Sequence, residues 1–200
     1  MPRDQRRAQL LDAASEVFTT KGYHAAAMDD IAVAAGVSKP VLYQHFPSKL
    51  DLYLALVDSS CDRLIEVVEE ALASTHDNAD RVVATMDAFY EFVSHSSREF
   101  RFVFESDLTG DAQVQKRLWQ VNNDIADSIS AVIAEDTALP PEQSKLLAIS
   151  LVGIAQVSAR YWVSSRDTIP VEEAKQLVGS LAWRGISGFP RTDGQAAQHG

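Results

Sequence analysis

Residues 28–46 read MDDIAVAAGVSKPVLYQHF, and their reading decides the fold. Gly36 separates two short segments, 28–35 and 39–45, whose apolar spacing is helical. Two short helices that cross steeply need a sharp turn and a close contact. Glycine tolerates the positive φ of such a turn, and Ala32 and Ala35 are small enough for close approach. Ile31, Val37, Leu42 and Phe46 supply a shared core. Asp29 and Asp30 fall in a first helical turn, where the helix dipole favours acids. Ser38 is placed to cap the second helix, and Pro40 lies in its first turn, where a missing N–H does no harm. The segment reads as a helix-turn-helix. Its second helix exposes Lys39, Val41, Tyr43, Gln44 and His45. Gln44 can pair with a base edge in a major groove and Val41 can meet a thymine methyl. Tyr43, His45 and Lys49 are placed for phosphates, which position without specifying. Ser48-Lys49-Leu50-Asp51 is a capping-box pattern that opens the next helix, and its free N–H groups could also receive a phosphate.

Outward from this segment, helical periodicity continues in both directions and strand signals are nearly absent. A first helix over about 4–20 carries the stripe Leu10, Leu11, Ala14, Val17 and Phe18, and Gly22 follows as a stop. A fourth helix starts after Pro47 and runs into the seventies, a fifth covers about 80–96 and a short sixth about 98–105. Thr109-Gly110-Asp111 breaks the chain before a seventh, about 112–135. Pro140 and Pro141 open an eighth to about 165, and Pro170 opens a ninth over about 171–188. The expected fold is all-α, with nine helices in two domains. Residues 1–47 form a three-helix head, 48–189 a helical bundle, and the small, polar stretch 190–200 a disordered tail.

The net charge of −10 disfavours nucleic acid only if it is spread evenly. Residues 1–50 hold six basic and five acidic side chains; residues 51–200 hold 12 and 23. A nearly neutral head therefore sits on an acidic body, and the head can still meet phosphate if its cations share one face. The single cysteine, Cys61, cannot form an internal disulfide, and five scattered histidines match no metal spacing, so neither a metal nor a cofactor is expected. No Ser/His/Asp or Cys/His set and no phosphate-binding glycine loop points to an enzyme. No apolar run follows the N-terminus, and the run 146–157 is too short to span a bilayer. A cytoplasmic protein without a membrane partner is expected.

The stretch AMDDIAVAAGVSKPVLYQHFPSKLDLYLAL, residues 27–56, resembles the DNA-binding head of the TetR family of bacterial transcription regulators. The resemblance implies a homodimer whose two heads read an inverted repeat in double-stranded operator DNA. It also implies a ligand cavity in each C-terminal ligand-binding and dimerisation domain, and repression as the usual outcome. It assigns base and phosphate contact to Ser38, Lys39, Pro40, Val41, Tyr43, Gln44, His45 and Lys49. One departure stands out: family members carry Ser or Thr just before the second helix, and here Ala25, Ala26 and Ala27 occupy that place. Arg3, Arg6 and Arg7 either compensate from an N-terminal arm or form a solvated terminus.

In the body, the eighth helix is apolar around most of its circumference, which calls for burial on several sides. Leu147, Leu151 and Ile154, with Leu177 and Leu181 of the ninth, are the candidate dimer surface; burial within one subunit is the alternative. Phe89, Tyr90, Phe92, Phe100, Phe102, Phe104 and Trp119 form either plain core or the wall of an apolar cavity. On the cavity reading, the ligand meets Phe89, Phe92, Phe100, Phe104, Trp119, Asn122, Asn123, Leu151 and Ile154. Arg98, Arg101, Lys116 and Arg117 are either solvated surface or a basic rim for an anionic ligand. The body is similar to actinobacterial regulators of fatty-acid synthesis, which sense long-chain acyl-CoA. That similarity implies a small hydrophobic effector of this kind. The family's other option is a sensor of unrelated hydrophobic drugs or metabolites controlling an efflux or catabolic operon.

Overall fold

A computed structural model describes residues 2–95, 97–137, 139–165 and 168–184. Among the described residues there are nine helices and no strand. They are α1 Arg3–Ala25, α2 Met28–Ala34, α3 Lys39–His45, α4 Lys49–Ala73, α5 Asn78–His95, α6 Ser97–Phe104, α7 Ala112–Thr137, α8 Pro141–Ser164 and α9 Val171–Arg184. The expected tail and the end of the ninth helix at 188 lie outside the described residues.

The chain divides into two compact units. One comprises Met1–Glu66 with His95–Asp124, the other Val67–Ser94 with Ile125–Gly200. The unit holding the helix-turn-helix thus reaches well beyond residue 47, the break expected from the sequence. Its core explains why. Leu10, Ala14 and Phe18 of α1, Ile31 of α2, Leu42 of α3 and Leu52 and Tyr53 of α4 are all buried. Phe102 and Val103 of α6 are buried in the same unit, and the Phe102 ring meets the Tyr53 ring edge-on at 5.4 Å. Arg117 of α7 binds Asp58 of α4 at 2.9 Å and also pairs with Asp62. Sequence patterning locates helices but not such long-range partners.

The stop expected at Gly22 is a break inside α1, with φ 77°. The turn between α2 and α3 is closed by Gly36 at φ 63°, with Val37 N–H donating to Ala32 C=O at 3.0 Å. A Cβ at Gly36 would meet nothing within 4 Å, so glycine is needed there for the backbone angle and not for space.

In the second unit, α8 buries one stripe: Ser144, Ala148, Val152, Ala155, Ala159 and Trp162. Burial on several sides was expected, but the opposite face stays open. As a continuous 24-residue helix, α8 is long and apolar enough to cross a membrane by length and composition, unlike the shorter run read from the sequence. Its small buried stripe packs in the unit instead: Tyr90 Oη donates to Ser158 Oγ at 2.9 Å, and Trp162 Nε1 donates to Ile169 C=O at 2.9 Å. Lys175 of α9 is buried and held by the carboxylates of Glu91 and Glu172.

Candidate DNA interface and effector cavity

Helix α3 is too short to persist alone. It is held by buried Leu42 and by Phe46, which follows it. That packing leaves Ser38, Lys39, Pro40, Tyr43 and Gln44 exposed together, with Val41 and His45 half-buried beside them. Seven of the eight predicted DNA residues are thereby brought onto one short element and its cap position. Ser38 occupies the N-cap position, but its hydroxyl makes no capping hydrogen bond, contrary to expectation. Lys39 pairs with Asp29 of α2 at 2.5 Å, and that hydrogen bond holds the ammonium above its usual pKa range.

Lys49 is the exception. Its ammonium turns onto backbone carbonyls, donating to Tyr23 C=O at 2.8 Å and Ala26 C=O at 2.9 Å, and lies 4.5 Å above the Tyr23 ring. The phosphate contact read from the sequence competes with these bonds, because α1 ends with unsatisfied carbonyls that attract a cation. Ser48 Oγ caps α4 by accepting from Asp51 N–H at 3.1 Å, one half of the expected capping box. Asp51 then places a carboxylate 2.7 Å from that hydroxyl, an acid where a phosphate was expected.

The missing Ser/Thr cap at Ala27 is offset from within α2. Asp30 accepts the Ala27 N–H at 3.1 Å and pairs with Lys21 at 3.0 Å; the Lys21 hydrogen bond, then the Ala27 N–H, lower its pKa. The N-terminal arginines belong to α1. Arg6 donates to Gln9 Oε1, and Arg7 stacks 4.5 Å over the Phe46 ring. Cys61 is fully buried, and burial pushes its thiol up to about 12, which removes it as a nucleophile. Among the described residues, no group of three or more His, Cys, Asp or Glu side chains is placed to hold a metal ion.

The second unit contains a cavity of about 290 Å³. Its walls come from Val68 and Leu72 of α4, Met86 and Phe89 of α5, Ile125, Ile129 and Ile133 of α7, Leu151 and Ala155 of α8 and Trp183 of α9. Of the nine predicted ligand residues, Phe89 and Leu151 line it; Phe92 and Ile154 belong to the same unit but do not. Phe100, Phe104, Trp119, Asn122 and Asn123 belong to the other unit and are corrected as cavity residues. Buried Phe100 stacks on half-buried Phe104 at 5.0 Å, and Trp119 is 67% exposed. Arg98, Arg101, Lys116 and Arg117, the candidate rim, do not line this cavity: Arg98 pairs with Asp12, Arg101 donates to Thr19 C=O, and Arg117 is held by Asp58 and Asp62. The cation at the cavity is Arg81, which sequence reading missed. It donates to Thr75 C=O at 2.9 Å and to Asn78 Oδ1 at 3.0 Å. The i, i+4 spacing of Ile125, Ile129 and Ile133 was the legible signal for the cavity wall.

On the open face of α8, Leu146, Ile149, Val157 and Tyr161 are exposed; Trp183, at the cavity, is half-exposed. Leu147 and Leu177, two of the five predicted dimer residues, are exposed as well. Ile154 and Leu181 are half-buried, and Leu151 faces the cavity.

Residues 10–56 match the family model described as bacterial regulatory proteins, tetR family. The chain is 44% identical over 192 residues to the HTH-type transcriptional activator FasR of Mycolicibacterium smegmatis, covering 96% of this chain and 88% of FasR. A TetR-like transcriptional regulator from Rhodococcus sp. RHA1 has a similar structure, with a TM-score of 0.74 at 28% identity over 94% of this chain and all of that one. The fold is shared with FadR from Bacillus subtilis, solved in complex with stearoyl-CoA, at a TM-score of 0.75 and 17% identity over 90% of this chain and 98% of that one. With this helix-turn-helix and 44% identity to a known regulator over nearly the whole chain, the chain belongs to the TetR family of DNA-binding bacterial transcription regulators and is not an enzyme.

Proposed function

We propose that this protein is a homodimeric, cytoplasmic regulator that reads an inverted repeat with paired α3 helices and whose DNA affinity is set by a long-chain acyl effector. The observation that carries the effector reading is the apolar cavity with Arg81 and Asn78 among its lining residues. An apolar cavity of about 290 Å³ suits an alkyl chain. Burying even five of its methylenes is worth roughly 4 kcal/mol gross. That exceeds the ~1–3 kcal/mol of a typical allosteric coupling, provided the ligand prefers one of two head spacings. A charged head group has no place among aliphatic walls and would lie toward Arg81. The stearoyl-CoA bound to FadR supports this chemistry over that of an unrelated drug. The exposed apolar side chains of α8 and α9 support a dimer, which palindromic recognition requires. The resemblance to the family at large points to repression. The FasR relative is named an activator, which favours activation here.

Native mass spectrometry of the purified protein tests dimer mass and co-purified ligand together. Titration of a cognate duplex at fixed salt, with and without saturating stearoyl-CoA, tests the response; unchanged affinity defeats the effector reading. Within the head, Gln44→Ala is expected to lose discrimination between operator variants, by about 1–3 kcal/mol at the base pair it reads. Equal losses on every duplex would assign Gln44 to phosphate instead.

Lys39 leads to a prediction of opposite sign. Asp29 neutralises the cation beside the groove-reading face. Asp29→Asn is therefore expected to tighten DNA binding a few-fold and to steepen the salt dependence by about one unit, as Lys39 gains a phosphate. An unchanged salt slope would show that Lys39 never reaches the backbone.

A further inference from the structure

The break at Gly22 leaves the C-terminal end of α1 without a regular helical continuation. In an unbroken helix the Tyr23 N–H would bond the Thr19 carbonyl. Both halves of that bond are instead met by α6 and the turn after it. Arg101 donates through Nη1 to Thr19 C=O, and Asp107 Oδ2 accepts the Tyr23 N–H at 2.8 Å. Asp107 is itself placed by its own backbone N–H, which donates to Tyr53 Oη at 3.2 Å, while Tyr53 Oη bonds Ser106 Oγ at 2.9 Å in the buried core. From α4, Lys49 binds the Tyr23 and Ala26 carbonyls. The end of α1 is therefore held at Thr19 and Tyr23 and the linker at Ala26, and only Ala26 and Ala27 separate α1 from α2.

We infer that Asp107 and Arg101 are positioning residues for the DNA-binding head, clasping the break in α1 at Gly22 and so fixing the linker that sets α2 and α3. Neither side chain lies on α3. The clasp rests on α3 being the helix that reads DNA. It also gives α6 and its turn, residues 97–108, a direct hold on the helix-turn-helix within one compact unit. At Gly22 a Cβ would stand 3.5 Å from Asp107 Oδ2, an ordinary contact, so glycine is called for by its φ of 77° and the carboxylate simply lies beside it.

The test compares Asp107→Ala with Asp107→Asn, whose amide oxygen can still accept the Tyr23 N–H. The probes are a duplex selected by the wild-type protein from a random-sequence pool and a scrambled duplex of equal length. Asp107→Ala is expected to lose about ten-fold on the selected duplex, or ~1.4 kcal/mol. On the scrambled duplex it should stay within about two-fold, because no cation facing DNA has changed. Asp107→Asn should recover most of the loss. Wild-type affinity in Asp107→Ala, equal losses on both duplexes, or no recovery in Asp107→Asn would each overturn the inference. Hydrogen exchange at the Tyr23 amide reads the clasp without DNA, even if Asp107→Ala fails to fold. It is expected to be slow in the wild-type protein; exchange at the rate of an open loop would overturn the clasp while leaving the DNA reading intact.

Discussion

Leu42→Ala is expected to destabilise the helix-turn-helix by about 2–5 kcal/mol, the usual cost of emptying a fully buried leucine site. Leu42 is 0% exposed and is the buried side chain of the seven-residue α3. A helix of two turns has no stability of its own, because nucleation costs more than so few hydrogen bonds return. Its conformation is maintained by burial of Leu42 in the core that also holds Ile31 and Phe46. A domain's whole stability is only about 5–15 kcal/mol, so the loss is expected to fray α3 at ordinary temperature and remove sequence-specific DNA binding. Denaturant unfolding followed beside DNA titration checks it. A stability within about 1 kcal/mol of wild type, with DNA binding intact, would mean that α3 is held by something other than its core residue.

Ile129→Trp is expected to abolish the response to stearoyl-CoA while leaving ligand-free DNA affinity unchanged. Ile129 lines the cavity from α7 and lies in the unit that does not contain α3. Overpacking a filled core costs about 1–3 kcal/mol, but here the added indole atoms have about 290 Å³ of space to enter. They take volume from the acyl chain, and each displaced methylene removes about 0.8 kcal/mol of burial. Excluding only four carbons would weaken binding by more than a hundred-fold on that scale. Ile129→Ala, which enlarges the cavity, should keep the response. DNA titration with increasing stearoyl-CoA for all three proteins decides the matter. A wild-type response from Ile129→Trp would move the effector out of this cavity.

Legibility in the sequence followed the range of the interactions. The helix-turn-helix was legible because its determinants lie within about twenty residues: a glycine at the turn, small residues at the crossing, and an apolar set at helical spacing. Side chains that reach across the chain were not. Lys49 reads as a phosphate contact and Arg101 as solvated surface or a basic rim in the sequence, yet they meet carbonyls 26 and 82 residues away. The aromatic cluster, open in the sequence between core and cavity wall, is divided for the same reason. Phe100 stacks on Phe104 in the first unit, while the cavity is walled largely by aliphatic residues and Phe89 of the second. Periodicity reports that a residue is buried, not which helices surround it.

The sequence alone thus determined the all-α class, the placement of nine helices, the helix-turn-helix and the acidic body behind a nearly neutral head. All are local or additive properties, encoded in spacing and composition. Tertiary structure decided which charges remain for DNA, where a cavity opens and how the break at Gly22 is braced. Those depend on pairings between distant segments, whose burial and hydrogen bonding are settled only when the helices pack.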